Sequence, residues 1–346
     1  MISANSSASG FAKLVAFAVA LGLAAIILPL IASDYTQRLI LLMALNTILV
    51  VSLGIGNGFT GVFSLGHVGF IAVGAYASGI LSLTPDQKAS LLPHLPLLLQ
   101  TWNLSFFAAT LVAGGLAALL ALVVGLPLMR LSGHFVSVAT MGFLIIVNVV
   151  LLNASSFTRG ARTFTGVPLD TNLQWTFAWL FLTLAVTGRL VHSGIGRLMR
   201  AVRDDAIAAS GVGVDVMRTR QLAFTVGAFF AGVGGSLYAH YLGSFSPTSF
   251  FWPLTIKLIV MLVLGGMGSL SGAVIGVVLV TLLSEGLQIL ERGMTVASIT
   301  IPPLFGASQI ALGMIFILVM IFRPNGLMSE RELSLRGLFF LKPRAN

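Results

Sequence analysis

The sequence predicts an all-α membrane protein, a polytopic helical bundle of about ten (eight to ten) transmembrane helices. Three observations predict it. Of the 346 residues, 57% are apolar and 8% charged, against roughly 45–50% and about 25% in a soluble domain. Apolar runs long enough to span a bilayer, about 20 residues each, recur along the whole chain. The formal net charge of +9 sits in short connections between those runs. Cytoplasmic loops of a membrane protein have this pattern, whereas a nucleic-acid binder needs an exposed basic face on a folded domain.

The first run, 11–33, follows a polar start and Lys13. It is long for the core of a signal peptide and lacks a small-x-small cleavage pattern, so it reads as a retained span. The runs 39–56 and 62–82 come next and share a glycine-rich stretch from Gly54 to Gly74. Such a stretch means either close helix packing or a broken helix at a transport site. The runs 104–130, 134–153, 172–192 and 221–242 read as further spans. The run 252–264 is short, and a re-entrant half-helix fits it as well as a span. The runs 272–290 and 303–322 complete the set, and a second glycine-rich stretch, Gly265 to Gly276, raises the same two alternatives. The expected division is a cytoplasmic N-terminus (1–10), a transmembrane domain (11–322) and a cytoplasmic tail (323–346).

Charge sets the orientation. The loop 193–220 carries Arg197, Arg200, Arg203, Arg218 and Arg220, and the tail carries Arg323, Arg331, Arg336, Lys342 and Arg344. Both are expected in the cytoplasm, and Arg130 falls on the same side. Counting back puts the N-terminus inside and 83–103 outside. Arg159 and Arg162 then fall outside, against the trend.

The absence of cysteine excludes disulfides, thiolate nucleophiles and cysteine metal sites. The phosphate-cradling pattern G-x-x-x-x-G-K-[ST] is absent, so ATP chemistry must come from another subunit. Gly56, Gly58 and Gly61 fit G-x-G-x-x-G, but they join two membrane segments instead of a strand and a helix, which rejects dinucleotide binding. Ionisable residues within the runs are scarce. Lys257 lies near one end of its short segment, and Glu285 reads as paired or interfacial, not as a proton relay. That scarcity favours a transporter driven by an external motor over a stand-alone secondary carrier. No nucleophile, base and metal set converges, so an enzyme is not expected.

The loop 193–217 is the most polar stretch. Ile195, Leu198, Met199 and Val202 form an apolar stripe at helical spacing, and Arg200, Asp204 and Ala208 keep the same period. Gly211 and Gly213 are suited to ending it. The result is a short amphipathic helix or helix pair, which either lies on the membrane surface or docks a cytoplasmic partner. The run 205–211, Asp-Ala-Ile-Ala-Ala-Ser-Gly, resembles the "EAA…G" loop of ABC importer permeases. More specifically, Gly-Arg-Leu-Met-Arg-Ala-Val-Arg-Asp-Asp-Ala-Ile-Ala-Ala at 196–209 is similar to LivM-type permease subunits of branched-chain amino acid ABC importers. The resemblance continues at 222–224, 228–232, 237–240, 246–250 and 264–269, at 61–67 and 74–76, and at Arg323-Pro-Asn-Gly-Leu. The ordered set covers most of the chain from 40 to 328.

The resemblance implies one permease of a pair in the bacterial inner membrane, with both termini cytoplasmic. Its implied partners are a second permease subunit, two cytoplasmic ATP-binding subunits and a periplasmic solute-binding protein. It implies no cofactor in this chain and no nucleic-acid partner. Branched-chain amino acids are the implied cargo, though related permeases serve urea, amides or small organic acids. Arg197, Arg200, Arg203, Asp204, Asp205 and Gly211 would couple the ATPases to the bundle, the charges setting register and Gly211 permitting the turn. Asn57, Ser64, His67 and Tyr76 are candidates for the translocation path. A lone His67 in an apolar segment also fits a hydrogen bond to a neighbouring helix. Tyr238, His240 and Tyr241 read as an interfacial aromatic belt. The sequence departs from the family's usual "TGG-x-x-G" stretch, with Phe-Thr-Arg-Gly-Ala-Arg-Thr-Phe-Thr-Gly at 157–166. Its two arginines read either as a solvated loop or as an altered specificity element.

Overall fold

A computed structural model describes residues 19–291, 295–296, 299–300, 306–323 and 326–328. The expected N-terminal segment 1–10, the first part of the run 11–33 and most of the tail lie outside the described residues. The chain divides into two compact units, Met1–Leu258 and Ile259–Asn346.

The first unit opens with α1 (Val19–Ile31) and α2 (Asp34–Asn57). Ser33 caps α2, its hydroxyl accepting from the Thr36 amide. Then come α3 (His67–Ser82), α4 (Pro85–Leu91), α5 (Leu97–Thr101), α6 (Phe106–Leu128), α7 (His134–Asn153) and α8 (Ser155–Thr158). After α9 (Leu173–His192) follow α10 (Gly194–Asp204), α11 (Ala206–Gly211), α12 (Val216–Leu242) and a 3-10 turn, Pro247–Phe250. α13 (Trp252–Gly265) crosses into the second unit, which holds α14 (Leu270–Glu291), a two-residue antiparallel pairing of β1 (Thr295–Val296) with β2 (Ile299–Thr300), and α15 (Ala307–Phe322). Each predicted apolar run carries a helix where it is described, except that the first five residues of the run 62–82 are non-helical.

Among the described residues, six helices are long and apolar enough to cross a bilayer, α13 being counted with its preceding 3-10 turn. The number is eight if two bent pairs, α3 with α4 and α9 with α10, are each taken as one span. The fold is thus an all-α, multi-pass membrane architecture.

α12 is the centre of the first unit, packed against α2, α3 and α6. Lipid tails supply no hydrophobic force between helices, so close approach must hold them. A β-carbon on Gly74 of α3 would collide with the Gly232 carbonyl of α12. One on Gly232 would stand 2.6 Å from the Ala117 methyl of α6. A polar chain crosses the same seam. Thr110 of α6 is bonded to Ser236 of α12 (2.8 Å), Ser236 donates to Ser78 of α3 (2.7 Å), and Ser78 meets His240 Nε2 (2.9 Å). His240 Nδ1 lies 2.9 Å from the Pro168 carbonyl and 3.8 Å from Asp170. His240 is fully buried; the expected aromatic belt does not include it, because its ring serves helix packing instead of a water boundary. Beyond α3, buried Lys88 donates to the Leu99 carbonyl (2.9 Å) and to that of Trp102, tying α4 to the α5 connection.

In the second unit the stretch Gly265 to Gly276 resolves as close packing. Gly265 meets Gly272 and Gly276 backbone to backbone. Leu327 and Met328 donate their amides to the Leu264 and Gly265 carbonyls. The closing motif 323–327 is thereby seated, where described, on the α13–α14 turn.

Candidate functional site

The other glycine-rich stretch resolves as a break. α2 ends at Asn57, residues 59–66 are non-helical, and α3 begins at His67. His67 Nε2 lies 2.8 Å from the Ser52 hydroxyl of α2. Ser52 stands five residues before the end of α2, a depth of about 8 Å at 1.5 Å per residue. The non-helical chain therefore runs back alongside the last turns of α2. Backbone at that depth is tolerated only where protein satisfies its polar groups. Here side chains do so. Asn57 clasps Ser64 from both ends of its amide: the Ser64 N–H donates to Oδ1 (3.0 Å) and Nδ2 donates to the Ser64 carbonyl (3.3 Å). Thr140 of α7 accepts from the Leu65 amide (3.1 Å), Ser137 donates to the Phe63 carbonyl (2.7 Å), and the Ser64 hydroxyl accepts from the Gly66 amide (3.3 Å).

The structure thus brings Asn57, Ser64 and His67 together, all buried. Tyr76 is not with them; it lies farther along α3, among Phe164, Phe245 and Phe250. The reading of His67 as a hydrogen-bond partner of a neighbouring helix matches its contact with Ser52.

The polar loop forms a helix pair, α10 and α11, broken at Asp205. Ser193 caps α10, and Asp205 caps α11 by accepting from the amides of Ile207 (2.8 Å) and Ala208 (2.9 Å). The apolar stripe divides: Met199 and Val202 are buried, whereas Ile195 and Leu198 stay exposed. Of the charges, Arg200 donates to the Val191 carbonyl (3.2 Å) and Asp204 is paired with Arg203 (3.0 Å). Gly211 does not make the turn. It is the last helical residue of α11 with a right-handed backbone, and the left-handed conformation falls at Gly213 (φ 89°). Ile207 and Val212 are among the most exposed apolar side chains, at 85% and 83%. Sequence periodicity missed them as a surface, because the helix break at Asp205 turns α11 off the α10 stripe.

Arg203 joins the two features. Its side chain packs over Gly61, where a β-carbon would lie 3.0 Å from Arg203 Cγ, and its Nη1 donates to the Gly58 carbonyl (3.4 Å). The α10–α11 pair therefore bears directly on the segment leading into the α3 break. Gly61 is left-handed (φ 67°) as well as crowded, so both its conformation and its neighbour demand glycine.

The family of branched-chain amino acid transport system permease components matches residues 35–323. The chain belongs to this family. It is 29% identical to the high-affinity branched-chain amino acid transport system permease protein LivM of Escherichia coli K12, over 93% of this chain and 77% of that protein. The LivM of Salmonella typhimurium is 28% identical over the same shares. A shorter stretch, 38% of this chain and 48% of the relative, is 32% identical to the E. coli permease protein LivH. No solved structure matches the chain. The chain is accordingly a LivM-type branched-chain amino acid permease, and these relatives are transport permease subunits. The matched range takes in the α3 break, the α10–α11 pair and the closing motif through Arg323.

Proposed function

We propose that this chain is the membrane permease subunit of an ATP-driven importer of branched-chain amino acids in the bacterial inner membrane. It forms the translocation path with a second permease, and cytoplasmic ATP-binding subunits and a periplasmic binding protein serve the pair. The observation that carries this reading is the seat of Arg203 on Gly58 and Gly61. It gives an exposed helix pair direct mechanical access to the non-helical segment through which α2 passes into α3. The exposed Ile207 of α11 and Val212 just past its end are suited to enter a partner's groove. Arg197, Arg200, Arg203, Asp204, Asp205 and Gly211 belong to that element, with Asp205 shaping it and Asp204 and Arg203 setting its charge.

In this reading α3, α9, α1 and α15 join the six long helices to make ten spans. The transmembrane domain is 11–322 with the coupling loop 193–217 inside, and the segments 1–10 and 323–346 are cytoplasmic. Asn57, Ser64 and His67 lie where the break meets the path, and a displacement of α10 changes the path by a two-state rearrangement of the break. Support for the cargo comes from the names of the LivM and LivH relatives.

The test uses the complete complex in proteoliposomes. ATP-dependent uptake of labelled leucine is expected, without competition from urea, acetamide or small organic acids. Asp204→Lys with Asp205→Asn reverses one charge and neutralises the other while keeping a competent cap, since Asn caps as well as Asp. Uptake should fall by about tenfold with ATP hydrolysis retained, the scale of an ordinary coupling energy. Unchanged uptake removes the coupling role. Gradient-driven uptake by this chain alone, without ATP, replaces the importer with a carrier.

A further inference from the structure

Tyr76 is only 3% exposed, and its hydroxyl has no hydrogen-bond partner among the described residues. Buried polar groups are nearly always bonded, so an orphaned one calls for a reason. Three rings enclose it, with centroids at 5.0 Å (Phe245), 5.6 Å (Phe164) and 6.5 Å (Phe250), each set edge-on to the Tyr76 ring. Phe164 and Phe245 also stack on each other at 5.5 Å. All three phenylalanines are buried. Gly79, one helical turn beyond Tyr76, leaves room for them: a β-carbon there would stand 3.0 Å from Phe164 Cε1.

The two ring-bearing segments form a small strap. The Phe164 N–H donates to the Phe245 carbonyl (2.7 Å), and the Phe245 N–H returns a bond to the Phe164 carbonyl (2.9 Å). The Val167 N–H donates to the Gly243 carbonyl (3.1 Å). The segment carrying Phe164 is bounded by left-handed residues, Arg159 (φ 65°) and Gly160 (φ 64°) on one side and Gly166 (φ 88°) on the other. Arg159 locks it from within, its Nη1 donating to the Thr163 carbonyl and the Thr165 hydroxyl, both at 2.9 Å. Arg159 is one of the two arginines by which this chain departs from the family pattern.

We propose that Tyr76 is a cargo-binding residue covered by an aromatic lid of Phe164, Phe245 and Phe250, and that Arg159 is the residue that positions this lid. The ligand is a small solute with an apolar side chain and a carboxylate. The phenylalanine rings face the apolar part, and the Tyr76 hydroxyl donates to the carboxylate. This deepens the importer reading and rests on it for the side from which cargo arrives. In that reading the strap is on the exterior, where cargo enters. The closed lid keeps the site dry until the strap moves.

The chain contains no cysteine, so Tyr76→Cys supplies a single reporter. In complex reconstituted without nucleotide, a membrane-impermeant maleimide added outside should label it slowly compared with Leu169→Cys, at an exposed position (72%). Adding Arg159→Ala, or Phe164→Ala in its place, should raise the Tyr76→Cys labelling rate by about tenfold or more, as expected when a locally closed state is opened. Melting curves of each variant separate lid opening from unfolding, and the two lid variants back each other. Labelling as fast as at position 169 in the parent, or no acceleration in either lid variant, overturns the lid.

Tyr76→Phe keeps the ring and should lower leucine uptake by about fivefold, the worth of one hydrogen bond. Its melting temperature should not fall, because the hydroxyl removed has no partner in the folded chain, so lowered uptake reports the cargo contact and not unfolding. Unchanged uptake overturns the cargo contact. If the parent complex imports no apolar amino acid, the importer reading fails, and the labelling result still decides the lid.

Discussion

At the scale of single residues, one amide makes two of the bonds that hold the α3 break. Asn57 supplies both a donor and an acceptor to Ser64, so Asn57→Ala strands a buried N–H and a buried carbonyl together. Each unsatisfied group costs about 1–3 kcal/mol. The variant should melt several degrees lower in detergent, while Asn57→Gln, with the same groups on a longer stem, recovers only part of the loss. An unchanged melting temperature would mean that the clasp contributes nothing. Asn57, Ser64 and His67 were legible in the sequence because polar residues are rare in these apolar runs. What they bond was not legible. The Ser52–His67 contact spans 15 positions and the Ser78–His240 contact 162, and one-dimensional spacing reports neither. The turn at 211–213 was misplaced by two residues for a related reason. Both positions are glycine, and only the backbone shows which one is left-handed.

At the scale of elements, the two glycine-rich stretches looked alike in sequence and became different structures. From Gly265 to Gly276 the glycines meet one another across the α13–α14 turn. From Gly54 to Gly74 the middle glycines enter a non-helical segment, and Gly69 and Gly74 of α3 stand close to α7 and α12. What separates them is what the polar side chains serve: Asn57 and Ser64 satisfy the irregular backbone after α2 in the first stretch, whereas Ser269 in the second accepts from the Gly272 amide at the start of α14 (3.0 Å). Helix positions followed closely from hydropathy; α7 spans the same residues as its predicted run. Gly74→Ala places a methyl against the Gly232 carbonyl. The expected outcome is destabilisation of about 1–3 kcal/mol or more from overpacking, read as a lower melting temperature. Gly115→Ala, where a β-carbon meets nothing within 4 Å, is the matched control and should melt at or above the parent.

At the scale of the whole molecule, the Thr110–Ser236–Ser78–His240 chain binds α6, α12 and α3 into one body. Ser78→Ala and Ser236→Ala each remove a shared partner, so their effects should not add. A double-mutant cycle on melting should give a coupling of about 0.6 kcal/mol, the average for interhelical hydrogen bonds in membranes, and strict additivity would dissolve the network. The bond between Ser236 and Ser78 joins residues 158 positions apart. A ribosome adding about 5–20 residues each second needs roughly 10–30 s to cover that distance. Throughout that interval α3 exists without the α12 hydroxyl that Ser78 will meet, and its own preceding carbonyls are the nearest substitutes. The seam between α3 and α12 is therefore a late event in the making of this protein.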